Sequence, residues 1–81
     1  MKKQQMVLNK INEALPGQEK EFLEFMAKTV NSTIDYSEYT TEELVKGFIT
    51  FEENEMDESL TPEIMDELLS IYIVGFEEGA F

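Results

Sequence analysis

The chain has no cysteine, no histidine and no arginine among its 81 residues. Without cysteine there is no disulfide framework, no thiolate metal site and no thiol nucleophile. Without histidine the usual general base and the commonest transition-metal ligand are missing. All six cations are lysines. Proline and glycine are sparse, at two and four residues. No apolar run is long enough to span a bilayer. The opening MKKQQMVLNK is basic but lacks the apolar core and small-residue cleavage site of a signal peptide. These absences lead us to expect a soluble, cytoplasmic chain without metal or cofactor.

What remains is apolar enough to fold. Hydrophobic residues make up 42% of the chain, with six Phe and three Tyr, which argues against a disordered acidic tail. The length allows one domain (residues 1–81) with a modest core, too small to enclose a deep active site easily.

Hydrophobic spacing predicts an all-α bundle of about four amphipathic helices. The first runs from about Lys3 to Leu15, with Val7, Leu8, Ile11, Ala14 and Leu15 on one stripe, and Pro16-Gly17 breaks it. The second runs from about Gln18 to Val30, with Phe22, Phe25, Met26, Thr29 and Val30 inward. Residues 31–39 read as a polar connection. The third helix opens on Thr40 as N-cap, with Glu43 completing a capping box and Tyr39 placed to staple onto Leu44. Its inner face reads as Leu44, Val45, Phe48, Ile49 and Phe51, and it ends between Glu53 and Met56. Gly47 falls on its outer face, where it costs about 1 kcal/mol against Ala, unless a neighbour approaches closely there.

The fourth helix starts with Thr61 as N-cap and Pro62 at the first helical position. Ile64, Met65, Leu68, Leu69, Tyr72 and Phe76 face inward. At Ile71 to Val74 the segment becomes apolar in every direction, so it is wrapped by the other helices or by a second chain. Ile71, Ile73, Val74 and Phe76 are therefore candidates for a homodimer contact and equally for internal core. A short strand IYIV competes with helix here because β-branched residues favour it.

Charge is the most informative property. The net charge is −12, and residues 29–81 carry fourteen acids against Lys46 alone. The stretch EENEMDESLTPEIMDE, residues 52–67, holds eight acids and no base: Glu52, Glu53, Glu55, Asp57, Glu58, Glu63, Asp66 and Glu67. Acids suit helix N-termini, where the macrodipole favours them by about 0.3–1 kcal/mol each. Glu52, Glu53 and Glu55 close the third helix, and Glu77 and Glu78 the fourth, so these oppose the dipole. Folding does not explain them on local grounds, and broken local rules cluster where function resides. The expectation is a negative ridge standing in water across the turn between the last two helices.

Carboxylates three or four apart on a helix stand about 5–6 Å apart at Cβ. An array of that kind suits a Lys/Arg-lined groove that otherwise holds phosphates, with the same counterion release. The leading reading is an inhibitor or DNA mimic that binds a basic DNA-binding protein such as a sliding clamp, nuclease or polymerase. The eight acids are its contacts, and it binds neither nucleic acid nor membrane directly. In size and composition the chain resembles small acidic phage proteins that shut down host replication, transcription or defence.

The bland alternative is a solvated face. The runner-up function is a non-enzymatic assembly or regulatory module working through the apolar surface of the last helix. Enzyme activity is not expected. Glu53, Glu55, Asp57 and Ser59 alternate as in a calcium loop, but Glu58 stands where the loop needs Gly, and position twelve is Ile64.

EKEFLEFMAKTV and TTEELVKGFITFEENE, within about residues 19–55, resemble the first two helices of the nuclease-colicin immunity proteins. The resemblance implies an acidic four-helix inhibitor of a basic nuclease. The chain departs from that family in its extra N-terminal helix and in lacking the Tyr-Tyr-Pro element that anchors the nuclease; SIYIV offers only Tyr72.

Overall fold

The structure is a computed structural model that describes residues 2–79, with the Lys2 side chain left out. The two ends of the expected 1–81 domain, residue 1 and residues 80–81, lie outside the described residues. Four α-helices follow one another: α1 (Lys2–Ala14), α2 (Glu19–Val30), α3 (Thr41–Met56) and α4 (Pro62–Glu78). A single 3-10 turn, Tyr36–Glu38, sits in the connection between α2 and α3. Among the described residues there is no strand, so IYIV is helix.

Local chemistry explains the boundaries. Pro16 and Gly17 end α1, and Gly17 takes a φ of 78° that a residue with a Cβ rarely adopts. At the start of α3 the capping box forms in full. Thr40 Oγ1 accepts from the Glu43 N–H at 3.1 Å, and Glu43 Oε1 accepts from the Thr40 N–H at 2.9 Å. At the start of α4, Thr61 Oγ1 accepts from the Ile64 N–H at 3.2 Å, with Pro62 at a position where no N–H is needed. In the 3-10 turn, Asp35 accepts from the Ser37 N–H at 3.0 Å, and Lys20 Nζ donates to the Ser37 carbonyl at 2.9 Å. Tyr39, read as a staple onto Leu44, sets its ring 5.3 Å from that of Tyr36.

One hydrophobic cluster runs through all four helices, with Val7, Ile11, Phe22, Val45 and Leu69 fully buried. Helix α1 packs against each of the others, and α2 packs along α3. The backbones of α3 and α4 stay more than 8 Å apart throughout the described residues. Long side chains bridge them. Phe48 and Tyr72 meet edge to face at 6.2 Å, while Phe22 and Phe25 on α2 both set their edges against Phe76, at 5.5 and 5.2 Å.

Several inward assignments are corrected. Ala14, Thr29, Val30 and Phe51 are exposed, Phe51 to 38%. Thr29, Val30 and Phe51 line an open groove between α2, the 3-10 turn and α3 instead of packing into the core. Gly47 has no close neighbour: a Cβ built there meets nothing within 4 Å.

Candidate functional site

The eight acids expected to form one ridge divide into three kinds. Glu52 is not on the ridge. It follows Val45 by seven residues and Ile49 by three, so the helical period carries it inward, and it is only 7% exposed. Tyr72 Oη donates to Glu52 Oε1 at 3.0 Å. Burial pushes the Glu52 carboxyl above its ordinary range, the Tyr72 hydrogen bond opposes this, and the charge of Glu55 adds to it. The Tyr72 phenol is pushed up to about 12, first by burial and then by its bond to Glu52. Tyr72 therefore remains a donor at any physiological pH.

Glu53 and Asp66 are tied to α1. Lys3 donates to Glu53 Oε2, and the Leu60 N–H donates to the same oxygen at 2.8 Å. The Lys3 bond, then the Leu60 bond, holds the Glu53 carboxyl below its ordinary range. Lys10 Nζ lies 2.7 Å from Asp66 Oδ1. The expectation that folding does not explain Glu53 is overturned here. Its carboxylate fastens the α3–α4 turn to the first helix, and Leu60, carried inward beside it, is buried.

The remaining five, Glu55, Asp57, Glu58, Glu63 and Glu67, are exposed and make no ion pair among the described residues. They surround the corner where α3 turns into α4. Asp57 is the C-cap of α3 at φ 58°, ψ 34°, in the left-handed region, and the Glu58 N–H donates back to the Glu53 carbonyl at 3.3 Å. Glycine is the usual residue at such a position, and Asn and Asp are the residues with a Cβ that tolerate it best. Its carboxylate also faces the negative end of the helix dipole. Among the described residues no group of three or more acids stands where it could hold a metal ion.

The apolar candidates divide as well. Ile73 is only 4% exposed and belongs to the core, and Phe76 is half-buried against the α2 phenylalanines. Ile71 and Val74 stand outward, 61% and 50% exposed, one helical turn apart.

The sequence reading missed a groove of about 560 Å³ between α2, the 3-10 turn and α3, with Tyr72 of α4 reaching into it. Leu23, Met26, Ala27 and Val30 form one wall, and Leu44, Phe48 and Phe51 the other. Tyr36 and Tyr39 flank it, and Glu43 and Glu52 are its charged residues. Gly47 lies in its α3 wall. A glycine in mid-helix, unfavourable there without a special reason, was the signal available in the sequence.

Compared with family models, with curated proteins and with solved structures, the chain finds no match in any of the three. The likeness of residues 19–55 to the immunity proteins therefore stands on those two strings alone. Among the described residues no helix is long and apolar enough to cross a membrane.

Proposed function

We propose that this chain is a non-enzymatic binding protein whose acidic α3–α4 corner occupies a Lys/Arg-rich nucleic-acid site on a DNA-processing protein, blocking it as a DNA mimic. The contact set is Glu55, Asp57, Glu58, Glu63 and Glu67. Asp66 lies beside them, already paired with Lys10, and Glu52 and Glu53 act in the fold. Partners of the right chemistry include a sliding clamp, a nuclease or a polymerase. The reading places the chain in the cytoplasm of the cell that holds that target.

The observation that carries this reading is Asp57. An acid there opposes the helix dipole and takes a left-handed conformation that glycine adopts freely. The charge opposes the dipole, and the left-handed backbone is one that Asp tolerates without requiring its charge, so stability does not select an acid here. Its four exposed companions give it a role in charge recognition. Acids carried on two helix ends meet a cationic groove with their backbone already placed, and the release of counterions makes the contact salt-dependent. The test is retention of proteins from a bacterial lysate on the immobilised chain at low salt, followed by elution with duplex DNA. Basic DNA-binding proteins eluted by DNA support the reading. A neutral partner held at high salt sinks it.

A second reading rests on Ile71 and Val74. Two large aliphatic side chains exposed on one face of α4 favour an apolar contact, either a homodimer or an assembly partner. Sedimentation of the wild type and of Val74→Glu decides it: a dimer that becomes a monomer supports the contact, and a monomer in both excludes the homodimer.

A further inference from the structure

We propose that the groove between α2 and α3 binds a small organic cation, an alkyl or aryl body carrying one ammonium group. Three observations lead there independently of the acidic corner. The first is size and lining. About 560 Å³ suits one small molecule, and the walls are predominantly apolar with a few polar groups, as in ligand pockets generally. Of the large hydrophobic side chains left exposed, Val30, Tyr39 and Phe51 all belong to this one groove.

The second is charge. Five aromatic rings line the groove, those of Tyr36, Tyr39, Phe48, Phe51 and Tyr72. Ring faces attract cations, most strongly where water is excluded. The two charged lining residues, Glu43 and Glu52, are both acids, and no lysine lines the groove. Glu52 is buried with a neutral phenol as its hydrogen-bond donor and with no cation paired to it among the described residues. A ligand ammonium supplies the missing counter-charge. An anion meets two carboxylates and the negative faces of the rings.

The third is Gly47. Helix interiors disfavour glycine by about 1 kcal/mol against alanine. Neither a positive φ nor a neighbour requires it here, since a Cβ meets nothing within 4 Å. Gly47 is itself one of the residues lining the groove, so a large side chain there would take up space along its α3 wall.

The experiment titrates the isotope-labelled full chain with 4-phenylbutylammonium, 4-phenylbutanol, 4-phenylbutyrate and methylammonium, following backbone amide shifts in about 0.15 M salt, where exposed charges are screened beyond about 8 Å. The expected result is saturable shifts confined to the groove, about tenfold tighter for 4-phenylbutylammonium than for the alcohol. Neither 4-phenylbutyrate nor methylammonium should saturate. Gly47→Leu should abolish binding, and Glu52→Gln, which keeps an acceptor for Tyr72, should erase the preference for ammonium over alcohol. Equal affinity for the three phenyl probes would overturn the proposal, as would saturation by methylammonium, shifts on the outer face of α4, or wild-type binding by Gly47→Leu. Groove shifts that grow with protein concentration alone would assign the groove to a second copy and also overturn it. The four-probe comparison on the wild type decides the matter even if a variant does not fold.

Discussion

Tyr72 of α4 and Glu52 of α3 share a 3.0 Å hydrogen bond across a gap that their helix backbones never close. The Glu52 carboxyl at that bond is buried, and burial raises its affinity for a proton. An acid whose folded pKa lies above its unfolded value, here 4.5, weakens the fold when ionised. That penalty is complete above the folded pKa and fades as pH falls through it. Glu52→Gln should therefore be more stable than wild type at pH 7 to 8. The gap should close as pH falls to about 4.5, measured by urea unfolding across the range. A gap independent of pH would contradict the assignment.

Glu53 should behave in the opposite sense. Its folded pKa lies below 4.5, so its contribution is present above that value and is lost as pH falls through the folded pKa. Glu53→Gln should lower the urea midpoint at neutral pH and approach wild type in acid. Lys3→Ala should have little further effect in the Glu53→Gln background, as a double-mutant cycle would show.

The two residues also show what was legible. The caps were: Thr40 with Glu43, Thr61 with Pro62 and the Pro16-Gly17 break each act within three or four residues, and local chemistry suffices to place them. The period that sends Val45, Phe48 and Ile49 inward also sends Glu52 inward, but the acidic run around it drew the reading toward a solvated ridge. The Glu53–Lys3 pair spans fifty positions and leaves no local trace. Val30 and Phe51 fit an inward stripe by spacing alone. They line the open groove between α2 and α3 instead, which spacing along one helix does not reveal.

Gly47→Ala should raise stability by about 1 kcal/mol, because the helix loses a flexible residue and the added methyl meets open space. Thermal unfolding measures it. A loss of stability would mean that the α3 wall is tighter than its geometry allows.

Ile73 and Val74 are neighbours with opposite fates. Ile73→Ala should cost about 2–5 kcal/mol, as for any large aliphatic residue removed from a packed core. Val74→Ala should change stability by less than about 0.5 kcal/mol, since its side chain is half exposed. Equal losses at both positions in a monomer would contradict the orientation of α4.

Because Glu52 is buried and Glu53 fastens the α3–α4 turn to α1, charge removal at the corner has to spare both. The most direct measurement compares the proteins retained from lysate by the wild type and by a variant carrying Glu55→Gln, Asp57→Asn, Glu58→Gln, Glu63→Gln and Glu67→Gln. Asparagine at 57 tolerates the left-handed backbone. The expected result is a basic DNA-binding protein held by the wild type at low salt, eluted by duplex DNA and missing from the variant. Equal retention of the same partner by both would contradict the acidic corner as the binding surface.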